Sequence, residues 1–367
     1  MTPFRPTVAE VDLEAIRHNV GAIKPDGVDL LAVVKANAYG HGEEEVSLAA
    51  LAAGATGLGV ALVEEGIRLR EAGIEAPILC LSEFPRGSER EALEARLTPA
   101  LYTVDGLNAL SDAARGLDPP PAVHVKIDTG MHRVGVYPPW DVAEIIGRVR
   151  EAGLQIGGLW THFARAEEDE ETTRRQLKRF DEILGALTQE EEVGIVHAAN
   201  TAATLMYPES HFDMVRSGLG IYGLGPAPDL AERNGLRPAL SWRTAVTMTK
   251  RVPAGAAISY GHTYRLEHDT TIATIPVGYA DGYPRSLSNK AEVLIRGRRR
   301  RSAGTVTMDQ MLVDCGDEAI EPGEEAVLIG RQGDEEITSD ELAGLAGTIS
   351  YELLCGISAR VPRQYAG

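Results

Sequence analysis

Through its first two thirds the chain alternates between two patterns. Short, β-branched apolar runs give way to longer charged runs whose Leu, Ile and Ala fall on one helical face. The short runs predict eight strands, at Asp29–Val34, Gly57–Leu62, Pro77–Leu81, Thr98–Thr103, Val123–Ile127, Ile156–Thr161, Gly194–Ala198 and Met214–Ile221. The longer runs predict helices such as Val63–Ala72, Ser88–Arg96, Asp141–Ala152 and Thr172–Leu187, with another, Glu10–Ile23, ahead of the first strand. Repeated strand–helix units favour a parallel sheet. Eight of them favour an α/β fold closed as a (β/α)8 TIM barrel, with an open doubly wound sheet as the alternative. After about residue 236 strand patterns follow one another without long helices: Leu240–Lys250, Thr270–Pro276, Ala291–Ile295, Ser302–Asp314 and Glu325–Ile329. One late helix is predicted at Ser339–Ala346. The expected organisation is a barrel over 1–235 and a mostly β C-terminal domain over 236–367, joined near the Pro-rich stretch Gly225–Leu230.

Composition agrees with that reading and narrows the function. A chain of 367 residues with 44% hydrophobic content suits a barrel plus a second domain. The net charge of −18 opposes nucleic acid and anionic membrane surfaces. Cys80, Cys315 and Cys355 are widely spaced and odd in number, which points to a reduced compartment. The start, Met1–Thr7, lacks an apolar core of signal-peptide length, and no apolar run is long enough to span a membrane. A cytoplasmic protein with a small-molecule substrate is expected.

Candidate chemistry gathers where barrels carry function, at the carboxyl ends of strands. Lys35 ends the first apolar run and opens a glycine-bounded loop, Lys35–Gly42. Burying a cationic amine is costly, so either the side chain reaches solvent or its charge serves chemistry such as Schiff-base formation. Lys126, Asp128 and Arg133 lie at the end of the fifth strand, Thr161 and His162 at the sixth. His197, Asn200 and Thr201 lie at the seventh, and Arg216 on the eighth. Five strand ends with polar or ionisable groups imply one convergent site.

Gly218-Leu-Gly-Ile-Tyr-Gly223 has GxGxxG spacing, but Leu-Gly-Pro-Ala-Pro follows it and cannot open the helix that a dinucleotide fold requires. The alternatives are a plain turn and a loop whose amides cradle one phosphate, with Thr201 and Tyr39 as added donors. The Arg296–Arg301 cluster sits between β patterns in an acidic chain and reads as a solvated hairpin tip. Glu167–Glu171 reads as the first turn of a helix.

Taken together, the motifs resemble those of a known family. Val33-Val-Lys-Ala-Asn-Ala-Tyr-Gly-His-Gly42 is similar to the cofactor-lysine motif of alanine racemases. So, in family order, are Lys126–Arg133, Ser259–Tyr264, Gly278–Pro284, Thr307–Gln310 and Thr348–Glu352. The resemblance implies an eight-stranded barrel, a C-terminal β domain and a homodimer with two shared active sites. It implies pyridoxal 5'-phosphate held covalently by Lys35, with its phosphate bound by Tyr39, Thr201, Gly218, Leu219 and Tyr351. Arg216 would face the pyridine nitrogen and Arg133 the phenolic oxygen, with His162 and Asn200 around the ring. Tyr260, from the second subunit, would be the other acid/base. Met308 would offer its amide to the substrate carboxylate and Tyr279 would flank the entrance. Lys126 matches a position that is carbamylated in some members. The family more often has serine at Thr201 and often cysteine at Thr307. The implied activity is interconversion of L- and D-alanine by two bases, supplying D-alanine for peptidoglycan. A broader serine racemase and a barrel-type decarboxylase are the alternatives.

Overall fold

The computed structural model describes residues 4–187, 193–227 and 229–367. Met1–Pro3 of the opening stretch Met1–Thr7 and Pro228 of the junction stretch lie outside these. The chain separates into two compact units, one built from Glu14–Ala38 and Glu43–Pro238.

In that unit eight strands run parallel, each hydrogen-bonded to the next along the sheet: Ile195–His197, Gln155–Trp160, Ala122–Lys126, Leu97–Leu101, Ile78–Cys80, Gly57–Val60, Asp29–Val33 and Met214–Ser217. The sheet is a nearly closed barrel. Its two end strands meet through Asp213 N–H to Val196 O at 3.0 Å and Arg216 N–H to Ala199 O at 3.0 Å. Leu31, Leu79 and Met214, from three different strands, pack together with Leu81 and Ile195. Residues two further along these strands share that inward face, because side chains alternate with period two. His197 and Arg216 are thereby carried into the barrel.

The last barrel strand stops at Ser217, so the expected strand Met214–Ile221 is too long. Gly218 leaves the extended region (φ −100°, ψ −90°) and Leu219–Tyr222 forms a 3₁₀ turn closed by left-handed Gly223. The helices come close to their expected bounds. The acidic run Glu167–Glu171 leads into helix Glu170–Ala186, and Asp169 caps it by accepting Thr172 N–H at 2.9 Å.

The other unit holds the segment ending at Leu13, Tyr39–Gly42 and Ala239–Gly367. Its main sheet orders Arg298–Arg301, Glu292–Ile295, Glu325–Gln332, Leu240–Ala245, Val8–Asp12 and Arg363–Ala366. The expected helix Glu10–Ile23 is therefore shorter, Leu13–Ile23. Val8–Asp12 is a strand because it finds Leu240–Ala245 on one side and Arg363–Ala366 on the other. Local periodicity cannot register such distant partners. Leu240–Lys250 divides into Leu240–Ala245 and Met248–Val252, which join different sheets. Of Ser302–Asp314 only Met311–Asp314 is a strand. Before it, Thr307 turns back to donate its hydroxyl to Gln310 O at 2.7 Å. In the arginine cluster, left-handed Arg296 and Gly297 make the hairpin turn. Arg296 pairs with Glu324, Arg298 and Arg300 with Glu318, and Arg299 with Glu292, Glu335 and Glu341. Neighbouring carboxylates thus neutralise the cluster.

Candidate active site

Lys35 follows strand Asp29–Val33 and is half-buried. Its strand end is anchored from the glycine turn, where the Tyr222 hydroxyl donates to Val33 O at 2.9 Å. Lys126, at the end of the fifth strand, is only 3% exposed, and its ammonium lies 4.2 Å from the centre of the Trp160 ring. Burial pushes this amine down to about 7, and the charges of Arg216, Arg133 and Lys35 push the same way. Desolvation holds the His162 imidazole well below its ordinary range, and the charges of Arg216, Lys126, Arg133 and Lys35 add to it. Lys35, Lys126, Arg133, His162 and Arg216 therefore share one electrostatic environment.

Arg216 organises the interior. Its guanidinium donates to His197 Nδ1 at 2.9 Å, Thr161 O at 2.8 Å, Ala198 O at 2.9 Å and His162 Nδ1 at 3.3 Å. Burial pushes its pKa down to about 9, which still leaves it cationic at neutral pH. His197 stacks on Trp160 with ring centres 5.5 Å apart, and its Nε2 lies 2.9 Å from His124 Nδ1. An arginine can only donate, so His197 Nδ1 must accept and its proton sits on Nε2. That proton is donated to His124, whose own proton must then be on Nε2. Burial holds both rings neutral, with His124 pushed down to about 4.

Two loops at this end are locked together. The hydroxyls of Thr129 and Thr161 lie 2.7 Å apart, and Gln176 donates to Thr129 Oγ1 and to His162 O, both at 3.2 Å. Asn200 caps the short helix Thr201–Met206 by accepting Ala203 N–H at 2.9 Å. Thr201 Oγ1 accepts Gly218 N–H at 3.1 Å, which brings the start of that helix, with Asn200, to the turn that opens at Gly218 and Leu219.

The remaining predicted site residues belong to the C-terminal unit. Tyr39 and Tyr351 face each other with ring centres 6.1 Å apart, and burial raises the Tyr39 phenol well above its usual range. Tyr260 lies on a tight turn after left-handed Ser259, not within a strand, and is 74% exposed. Tyr279 and Met308 are also exposed. Thr305 donates its hydroxyl to Tyr260 O at 2.9 Å, while Tyr279 N–H bonds Thr307 O at 2.9 Å and Ala280 N–H bonds Met308 O at 3.0 Å. One loop, 305–308, thus holds Tyr260, Tyr279 and Met308 together.

What can this mouth hold? Among the described residues neither Lys126 nor Arg216 pairs with a carboxylate. Asp128 is occupied by Gly130 N–H at 2.9 Å, His132 N–H at 3.0 Å and the His132 ring. The cluster has surplus positive charge around an amine nucleophile. It fits an anionic, aldehyde-bearing ligand.

Two family models cover almost the whole chain: the alanine racemase N-terminal domain matches residues 11–226 and the C-terminal domain matches residues 239–365. The chain belongs to the alanine racemase family. It is 50% identical to the alanine racemase of Symbiobacterium thermophilum, over 99% of this chain and 98% of that one. It is 45% identical to that of Carboxydothermus hydrogenoformans, over 99% and 100%. The crystal structure of alanine racemase from D-cycloserine-producing Streptomyces lavendulae superposes with a TM-score of 0.94 at 42% identity, covering 100% of this chain and 98% of that one. The enzyme is an isomerase that interconverts the enantiomers of alanine, within a family dependent on pyridoxal phosphate.

Motif reading reached Lys35, Lys126, His162 and Arg216. It passed over Glu65, Trp160 and Gln176, and it singled out His197 but not its neighbour His124. The signal for His124 was present: it stands two residues before Lys126, on the same face of one strand.

Proposed function

We propose that the chain racemises alanine with pyridoxal 5'-phosphate on Lys35, and with Lys35 and Tyr260 as the two proton-transfer groups. The observation that supports this most directly is the group of cations Lys35, Lys126, Arg133 and Arg216, whose charges reach one another, with no carboxylate paired to Lys126 or Arg216 among the described residues. When bound, the cofactor supplies an aldehyde for the amine and an electron-withdrawing ring that acidifies the substrate α-proton. Lys35, Arg133 and Arg216 would hold it at the barrel mouth, with Thr201, Gly218, Leu219, Tyr39 and Tyr351 on its phosphate. His162 and Asn200 would border its ring.

The chain's own residues then move the proton. Lys35 Nζ takes or returns it on one face of the substrate. The neutral form of that amine is the one that accepts a proton. Tyr260 Oη serves the opposite face. Its exposure on a single chain, beside exposed Tyr279 and Met308, is what a residue donated to a second copy would show. A homodimer with shared sites follows from that reading, in which the Met308 amide meets the substrate carboxylate and Tyr279 guards the entrance. Lys126, neutral enough near pH 7 to react with carbon dioxide, would become an anionic carbamate beside Arg133.

Replacing Tyr260 with Phe tests the division of labour. Solvent deuterium exchange at the α-carbon, followed separately from each enantiomer, is expected to fall by at least about 100-fold in one direction and far less in the other. Equal losses in both directions would remove the face-specific role.

A further inference from the structure

The backbone that carries Lys35 is in an unusual state. Ala36, Asn37, Ala38 and Tyr39 all have φ between +52° and +54°. Together they form a left-handed helical turn directly after Lys35. Each non-glycine residue in this conformation costs about 1–2 kcal/mol. Such a run persists only where the surroundings over-determine it.

Three contacts do so. Ala38 N–H closes the turn on Val34 O at 2.8 Å. Asn37 Oδ1 accepts Glu43 N–H at 3.0 Å and ties the turn to the following helix. The third is a buried carboxylate. Glu65 is 5% exposed; its Oε1 accepts Ala36 N–H at 2.7 Å, and its Oε2 accepts Ala61 N–H at 2.8 Å and Leu62 N–H at 3.1 Å.

The plain reading of Glu65 is a capping residue at the third position of helix Val63–Glu71. That reading accounts for Oε2 and leaves Oε1 unexplained. The second oxygen reaches across to the exit of the neighbouring barrel strand and holds the amide adjoining Lys35. One carboxylate therefore bridges the ends of strands Asp29–Val33 and Gly57–Val60. Charge-assisted bonds of this kind are the stronger class.

We infer that Glu65 is a positioning residue for Lys35, fixing the left-handed turn so that the amine is presented at one place in the barrel mouth. The inference rests on Lys35 being the cofactor lysine. A glutamine at 65 keeps the shape but brings an N–H₂ group to one end of the bridge, where only acceptors fit. The turn then loses either Ala36 or the Ala61–Leu62 pair.

The test compares wild type, Glu65→Gln, Glu65→Ala and a control at the exposed neighbour, Glu64→Gln. Each is titrated with pyridoxal 5'-phosphate and followed by visible absorbance. Borohydride trapping at position 35 is then located by peptide mass. The loaded proteins are compared for kcat and KM toward alanine. Glu65→Gln is expected to slow trapping at Lys35 and to lower kcat by about 100-fold, with KM changed only a few-fold. Glu64→Gln should behave as wild type. If Glu65→Ala does not fold, the glutamine variant decides. Wild-type trapping and kcat in folded Glu65→Gln would overturn the inference and leave Lys35 as cofactor lysine. So would a loss that merely follows the unfolded fraction. Absence of trapping at Lys35 in the wild type would overturn both.

Discussion

Arg216 has five N–H groups and no lone pair to offer, and that asymmetry sets the protonation of the groups around it. His197 and His162 can meet it only as acceptors, and His124 completes the line. An arginine could not readily protonate a pyridine nitrogen placed against it, so in the proposed site Arg216 would keep the electron sink weak. Arg216→Glu should therefore raise transamination relative to racemisation; product analysis would show it, and an unchanged ratio would refute it. Lys126 makes a second prediction. Its amine is pushed down to about 7, so it is neutral above that pH and protonated below it. Carbamate formation joins the amine nitrogen to carbon dioxide and releases the amine proton, and only the neutral form does this. A carbamate signal from carbon-13 bicarbonate should be present at pH 8, fade as pH falls through about 7, and be absent in Lys126→Ala. Absence at pH 8 in wild type would end this reading. Lys35, Lys126 and Arg216 were legible as residues because motif and strand-end position named them. Glu65 was not. As the second of two adjacent glutamates opening a helix, it looks like any capping residue until the fold brings Ala36 to it.

Among elements, the short ones departed most from expectation. The helices were legible because their periodicity is local and long. The stretches 214–221, 240–250 and 302–314 misled because apolar alternation runs through points where the backbone turns. Gly218 is one such point, and the turn that it opens is closed by Gly223. Gly223 has φ +78°, and a Cβ there would run into the Arg237 carbonyl. Gly147 is the contrast: it lies inside helix Val142–Glu151, and a Cβ there would meet open space. Gly223→Ala should destabilise the protein by at least about 2 kcal/mol. Gly147→Ala should stabilise it by about 0.5–1 kcal/mol. Denaturant unfolding of the two variants checks both signs.

For the whole molecule, the buried imidazoles couple stability to pH. Burial pushes His124 from its ordinary value near 6.5 down to about 4. Between those values the unfolded chain binds a proton that the folded chain refuses, so stability falls as pH drops through this window. The loss from His124 is up to about 3 kcal/mol. His197, shifted the same way, adds to it. Unfolding free energies measured from pH 7 to pH 4 should decline, and the decline should be shallower in His124→Gln; an equal slope would show that other groups dominate. The barrel, the β-rich C-terminal part and the family could be read from the amino acids alone, because strand–helix alternation and contiguous motifs are properties of neighbours in the chain. Three things needed the folded chain: the pairing of Val8–Asp12 with strands more than 200 residues away, the neutralisation of the arginine cluster, and the left-handed turn that Glu65 holds beside Lys35. Each is a bond between groups far apart in sequence, and no local pattern encodes which distant partner will satisfy a given amide or charge.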